Sequence, residues 1–81
     1  MKAKEMFEEL GYECETGSKY IDYAKHFKEI KQHGYVLFDL EEKTILPSME
    51  YGTTHSLEID MKLLKAINKQ IEELGWDDYN K

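Results

Sequence analysis

Four side chains in this sequence have the chemistry of a nucleophile or a transition-metal ligand: Cys14, His26, His33 and His55. Thiolates and imidazoles make a metal site when two of them fall at short spacing, as C-x-x-C or H-x-x-x-H, so that one turn or helix face presents both. No pair here has that spacing, and His26 and His33 stand seven residues apart outside any recognisable signature. Cys14 follows the end of the first predicted helix, where the negative end of the helix dipole disfavours a thiolate. Glu8-Glu9, Glu41-Glu42 and Asp77-Asp78 are sequence neighbours rather than carboxylates facing each other across a cleft. The five glycines are isolated, so no phosphate-cradling loop is present. Nothing assembles an acid, a base and an oxyanion donor. The expectation is a protein that is not an enzyme, with no catalytic residue, no metal and no cofactor.

The elements that would position these groups begin with the strongest signal in the chain, a helix within Ile59–Trp76. Leu64, Ile67, Ile71 and Leu74 recur at spacings of three, four and three and form an apolar stripe. Asp60 is placed as the N-cap, with Ile59 and Leu64 as a hydrophobic staple around it. Gly75 is placed to end the helix in a left-handed conformation, which lets Trp76 fold back on Ile71. A first helix is predicted over Lys2–Leu10 from Ala3, Met6, Phe7 and Leu10, with Gly11 and Tyr12 repeating the same ending.

Between the helices, Glu13–Ser18 reads as a polar connection pivoting on Gly17. Residues 19–33 fit two patterns. As a helix, Tyr20, Tyr23, Ala24, Phe27 and Ile30 form a stripe that Gly34 could end. As a strand over Tyr20–Phe27, Ile21, Tyr23 and Phe27 share one face and Tyr20, Asp22, Ala24 and His26 the other. The strand is favoured, because without it the strands that follow would make a lone hairpin, which is only marginally stable. Tyr35–Leu40 is aromatic and β-branched with alternation, and Thr44–Met49 returns beside it. Pro47 has no N–H for a ladder, which assigns that strand to the sheet edge. Gly52–Ser56 reads as a loop, and Asp77–Lys81 as a loose charged tail.

The fold class that follows is α+β, in the order α-β-β-β-α. A three-stranded antiparallel meander carries both helices on one face, over Ile21, Val36, Phe38, Leu40, Ile45 and Met49. The opposite face then presents Tyr20, Tyr35, Leu37 and Leu46, the candidate partner-binding residues, because so much apolar area is suited to a contact.

Eighty-one residues make a single domain, 1–81, with a modest core. No run of eighteen apolar residues suggests a membrane span, and the charged start MKAKEMFEEL lacks the apolar centre of a signal peptide. One cysteine cannot make an internal disulfide, so a cytoplasmic location is expected. The net charge is −6, a sign that repels phosphate and argues against a general nucleic-acid binder. All eleven basic residues are lysine, so the bidentate fork of arginine is absent, as codon bias in an AT-rich genome would produce. Residues 18–34 are the one net-positive stretch, with Lys19, Lys25, Lys28 and Lys31 against two acids.

Three stretches carry a resemblance: Ala3-Lys-Glu-Met-Phe-Glu-Glu-Leu-Gly-Tyr12, Phe38-Asp-Leu-Glu-Glu-Lys-Thr-Ile45 and Leu64-Lys-Ala-Ile-Asn-Lys-Gln-Ile-Glu-Glu-Leu-Gly-Trp76. In whole-chain pattern the protein resembles small uncharacterised proteins carried by phages and prophages of low-GC Gram-positive bacteria. The resemblance implies a mobile-element origin and an extended Tyr20–Phe27, and it transfers no catalytic residue. The expected function is therefore that of an acidic accessory protein in the host bacterial cytoplasm. It would bind a protein, either another chain or a second copy of itself as a homodimer. A sharper version has Glu41, Glu42, Glu50, Glu58 and Asp60 imitating nucleic-acid phosphates toward a basic enzyme. The alternative from another class is a nucleic-acid accessory protein using the lysines of 19–31.

Overall fold

The structure, a computed structural model, describes residues 1–50 and 56–76. The elements are α1 (Ala3–Glu9), β1 (Glu13–Thr16), β2 (Tyr20–Phe27), β3 (Gln32–Asp39), β4 (Thr44–Met49) and α2 (Met61–Leu74). The strands form one antiparallel sheet in the order β1-β2-β3-β4, each paired with its sequence neighbour. The expected α+β class stands, and the strand reading of Tyr20–Phe27 is the one observed.

The sheet has four strands rather than three. Glu13–Thr16, expected as a connection, pairs with β2 from Glu13↔Ala24 to Thr16↔Ile21. The segment is too polar to look like a strand, because on its inner side only Cys14 is even half-buried. It pairs because β2 would otherwise leave a row of backbone groups open at the sheet edge. A short turn through Ser18 and Lys19 closes the hairpin, with Gly17 N–H donating to the Tyr20 carbonyl at 3.0 Å.

The other two turns share a different device. Lys31 and Lys43 each take a left-handed conformation at the last turn residue before β3 and β4 (φ 54° and 56°). In the second of these turns Asp39 Oδ1 accepts the N–H groups of Glu41 and Glu42, both at 3.0 Å, as aspartate does in an Asx-turn. The strand expected at Tyr35–Leu40 begins earlier, at Gln32, and Leu40 lies beyond it. Leu40 is not among the residues that pack against the core cluster, and its N–H donates to the Lys19 carbonyl at 2.9 Å. Gly34, a candidate helix stop, is a buried strand residue. A Cβ there would come within 2.8 Å of the Phe27 ring. Pro47 lies on the edge strand β4, opposite Val36.

Phe7, Tyr23 and Phe38 form the centre of the core, all almost fully buried. The Phe7 ring stacks on Tyr23 at 3.7 Å and 8°, and Phe38 meets both rings edge-on. The α1 ending behaves as read: Gly11 has φ 95°, Tyr12 N–H donates to the Phe7 carbonyl, and Tyr12 packs edge-on against the Phe7 ring at 5.6 Å. At its start, Ala3 N–H donates to Glu73 Oε2 of α2 at 2.7 Å, so the far end of one helix caps the beginning of the other.

In α2 the cap is as expected, with Leu63 N–H donating to Asp60 Oδ1 at 2.8 Å and Gly75 left-handed at φ 75°. The buried stripe, however, is Leu63, Ala66, Ile67 and Gln70, with Ile71 and Leu74 only partly covered. Leu64, expected at its head, is 37% exposed, and Ile59 is exposed too, so the two make no buried staple. The helix is turned toward Gln70, a polar residue that a hydropathy reading places outside. Gln70 is buried because its Oε1 accepts the Tyr23 hydroxyl at 2.5 Å. The expectations for His55, for most of the 52–56 loop and for the 77–81 tail lie outside the described residues.

Candidate interaction surface

Strand alternation distributes chemistry between the two faces of the sheet. Cys14, Ile21, Tyr23, Val36, Phe38 and Ile45 point toward the helices and belong to the core or pack against it. Among the described residues, no helix or strand covers the other face.

Registration orders that open face into four rows. One runs Glu15, Asp22, Leu37, Leu46, and the next Glu13, Ala24, Tyr35, Ser48. Tyr20, Asp39 and Thr44 make a third at one end, and His26 and His33 a fourth at the other. All four candidate partner-binding residues therefore share one face. Leu46 is 59% exposed, while Tyr20, Tyr35 and Leu37 are half-buried.

Glu15 and Asp22 were not singled out from the sequence. Glu15 belongs to the segment expected as a connection, where the Glu-Cys-Glu-Thr alternation was the only signal of a strand. On the sheet they stand directly opposite each other, a like-charge cross-strand pair that opposes folding. Asp22 Oδ1 is buried and has no hydrogen-bond partner. Burial, then the charge of Glu15, holds the Asp22 carboxyl above its ordinary titration range. The Tyr20 hydroxyl donates to Glu15 Oε1 at 3.4 Å, and the charge of Glu15 pushes that phenol up as well.

At the opposite end, the His33 carbonyl accepts Glu50 N–H from the β4 side at 3.1 Å. His26 and His33 are therefore a non-hydrogen-bonded cross-strand pair, the kind in which side chains stand closest. Their ring centroids are 4.6 Å apart. His33 Nδ1 lies 2.9 Å from Glu50 Oε1, and hydrogen bonding from His33 lowers the Glu50 carboxyl pKa. Among the described residues no three His, Cys, Asp or Glu side chains cluster closely enough to hold a metal ion. Among the described residues the candidate groups are divided, with Cys14 on the helix side and His26 and His33 on the open side. Burial, then Cys14, pushes the neighbouring Tyr23 phenol up.

The lysines of 19–31 do not form one surface. Lys19 lies at one end of β2, 3.7 Å from Glu41. Lys28 and Lys31 lie in the turn at the other end, roughly 25 Å away for an eight-residue strand. Lys25 points to the helix side, its Nζ 5.0 Å over the Phe27 ring and 5.7 Å over the Tyr12 ring. The five proposed phosphate-like acids are likewise divided between the two ends of β4, and Asp60 is occupied in capping α2.

A cleft of about 300 Å³ opens beside Lys25, between Phe27, Met49, Leu57 and Leu63, and it borders Ser56. Among the described residues no helix is long and apolar enough to cross a membrane. Compared with protein families, with curated proteins and with solved structures, the chain finds no match in any of the three.

Proposed function

We propose that this protein is a non-enzymatic acidic accessory protein, of the phage and prophage kind its sequence resembles, that acts in the host cytoplasm by binding another protein. The contact surface is the open face of the sheet, centred on Tyr35, Leu37 and Leu46 and flanked by Tyr20. The observation that carries this reading is the unequal use of the two faces. One is packed by two helices around Phe7, Tyr23 and Phe38, and the other presents half-buried and exposed apolar side chains that no described element covers. Apolar area gathered on one side of a small domain is a common property of contact surfaces.

The alternative, a nucleic-acid accessory protein using Lys19, Lys25, Lys28 and Lys31, has less support. Those lysines are dispersed over both ends and the inner face of β2, and one already faces Glu41. A gel-shift assay at low salt would reveal that activity.

The test of the protein-binding reading is recovery of a partner with wild-type protein, Tyr35→Glu, Leu37→Glu and a helix-face control, Lys65→Glu. Circular dichroism establishes that each variant is folded. Loss of the partner in the two sheet variants alone supports the assignment. A partner retained by folded Tyr35→Glu and Leu37→Glu refutes it.

A further inference from the structure

The open face has a charge bias that selects its occupant. Its strand positions include Glu13, Glu15, Asp22 and Asp39, and none of the chain's eleven lysines. Asp39 is engaged with the turn amides, but Glu15 and Asp22 face each other with no cation between them. They continue directly into Leu37 and Leu46, so two carboxylates and two leucines lie in one row about 14 Å long at ordinary strand spacing. The buried Asp22 Oδ1, which has no donor, adds to the cost of keeping that pair charged.

We propose that this face receives a cationic protein segment, with an arginine or lysine head between Glu15 and Asp22 and an apolar side chain on Leu37 and Leu46. The inference rests on the binding role proposed above and adds the chemistry of the partner. A long basic side chain fits the row in both its parts, since its methylene stem can lie along Leu37 while its head reaches the carboxylates. Charge-assisted bonds from a guanidinium or ammonium to the accessible carboxylate oxygens would remove the like-charge opposition. Two copies joined open face to open face do not supply that head: the chain has no arginine, and the strand positions of this face carry no lysine.

Two capped pentapeptides with leucine and a charged residue two positions apart, and so on one side of an extended chain, test this, Leu-Ser-Arg-Ser-Leu and Leu-Ser-Glu-Ser-Leu, titrated into the full chain and followed by backbone amide NMR. The arginine peptide is expected to shift residues 15, 22, 37 and 46 more than those of α2. Its binding should weaken as salt screens the contact. Glu15→Gln with Asp22→Asn should weaken it about tenfold, and Leu37→Ser should weaken it too.

Equal binding of the glutamate peptide at the same residues overturns the cationic partner and leaves the open face as a binding surface. Concentration-dependent self-association that shifts those residues does likewise. Failure of both peptides and of self-association to shift the open face overturns the inference. The partner-recovery test with Tyr35→Glu and Leu37→Glu then decides the broader reading separately.

Discussion

Replacing Tyr23 by phenylalanine removes one oxygen from the middle of the molecule and keeps the ring. Tyr23 is 1% exposed and Gln70 5%, and the hydroxyl of one donates to Oε1 of the other across 47 residues of sequence. Without that donor the Gln70 oxygen stays buried and loses the hydrogen bond it makes to β2. A buried acceptor stripped of its partner costs about 1–3 kcal/mol. In a domain of this size that lowers the melting temperature by about 5–15 °C. Gln70→Leu on its own leaves the Tyr23 hydroxyl without its strongest acceptor and is also destabilising. The double variant Tyr23→Phe with Gln70→Leu removes both polar atoms, so it should be more stable than the sum of the single effects by about 1 kcal/mol or more.

Urea unfolding of the four proteins, followed by circular dichroism, measures this coupling. Effects that add to within about 0.5 kcal/mol would refute the claim that this bond sets the rotation of α2. Alkaline pH provides a second readout. Folding raises the Tyr23 pKa, first through burial, so the unfolded chain loses that proton more readily. The associated stability is intact below about pH 10 and falls as pH rises above it, and Tyr23→Phe should lose that part of the alkaline slope.

Two further outcomes follow from the same packing. Leu63→Ala should destabilise by about 2–4 kcal/mol, because Leu63 is 4% exposed, whereas Leu64→Ala should change stability by less than about 1 kcal/mol; thermal melts that reverse this order would place the stripe where hydropathy alone puts it. Asp22→Asn should stabilise the isolated protein by about 0.5–1 kcal/mol at neutral pH, since it removes the charge opposite Glu15. With its carboxyl pKa raised in the fold, Asp22 takes up its proton more readily there, so the wild type gains stability as pH falls through that titration. The advantage of the variant should therefore vanish in acid, and an advantage independent of pH would count against the charge explanation.

Local chemistry was legible from the sequence. Asp60 caps α2 through its own carboxylate, Gly11 and Gly75 take the left-handed conformations their positions suggested, and Pro47 lies on an edge strand. Each depends on backbone geometry within a few residues, and the residue types carry that geometry themselves. The alternation of Tyr20–Phe27 and Thr44–Met49 was legible for the same reason, and so was the shared face of Tyr20, Tyr35, Leu37 and Leu46.

What tertiary structure alone decided involves partners far apart in the chain. Glu13–Thr16 becomes a strand because β2 has an edge to be paired, not because its own residues favour one. Gln70 displaces Leu64 from the buried stripe because a tyrosine hydroxyl 47 residues away needs an acceptor. Glu15 comes to face Asp22 only after that added strand sets the register, and with it the unpaired carboxylates beside Leu37 and Leu46. A residue's own type can announce a cap or a turn. It cannot announce a polar pair whose burial depends on how a helix and a sheet meet.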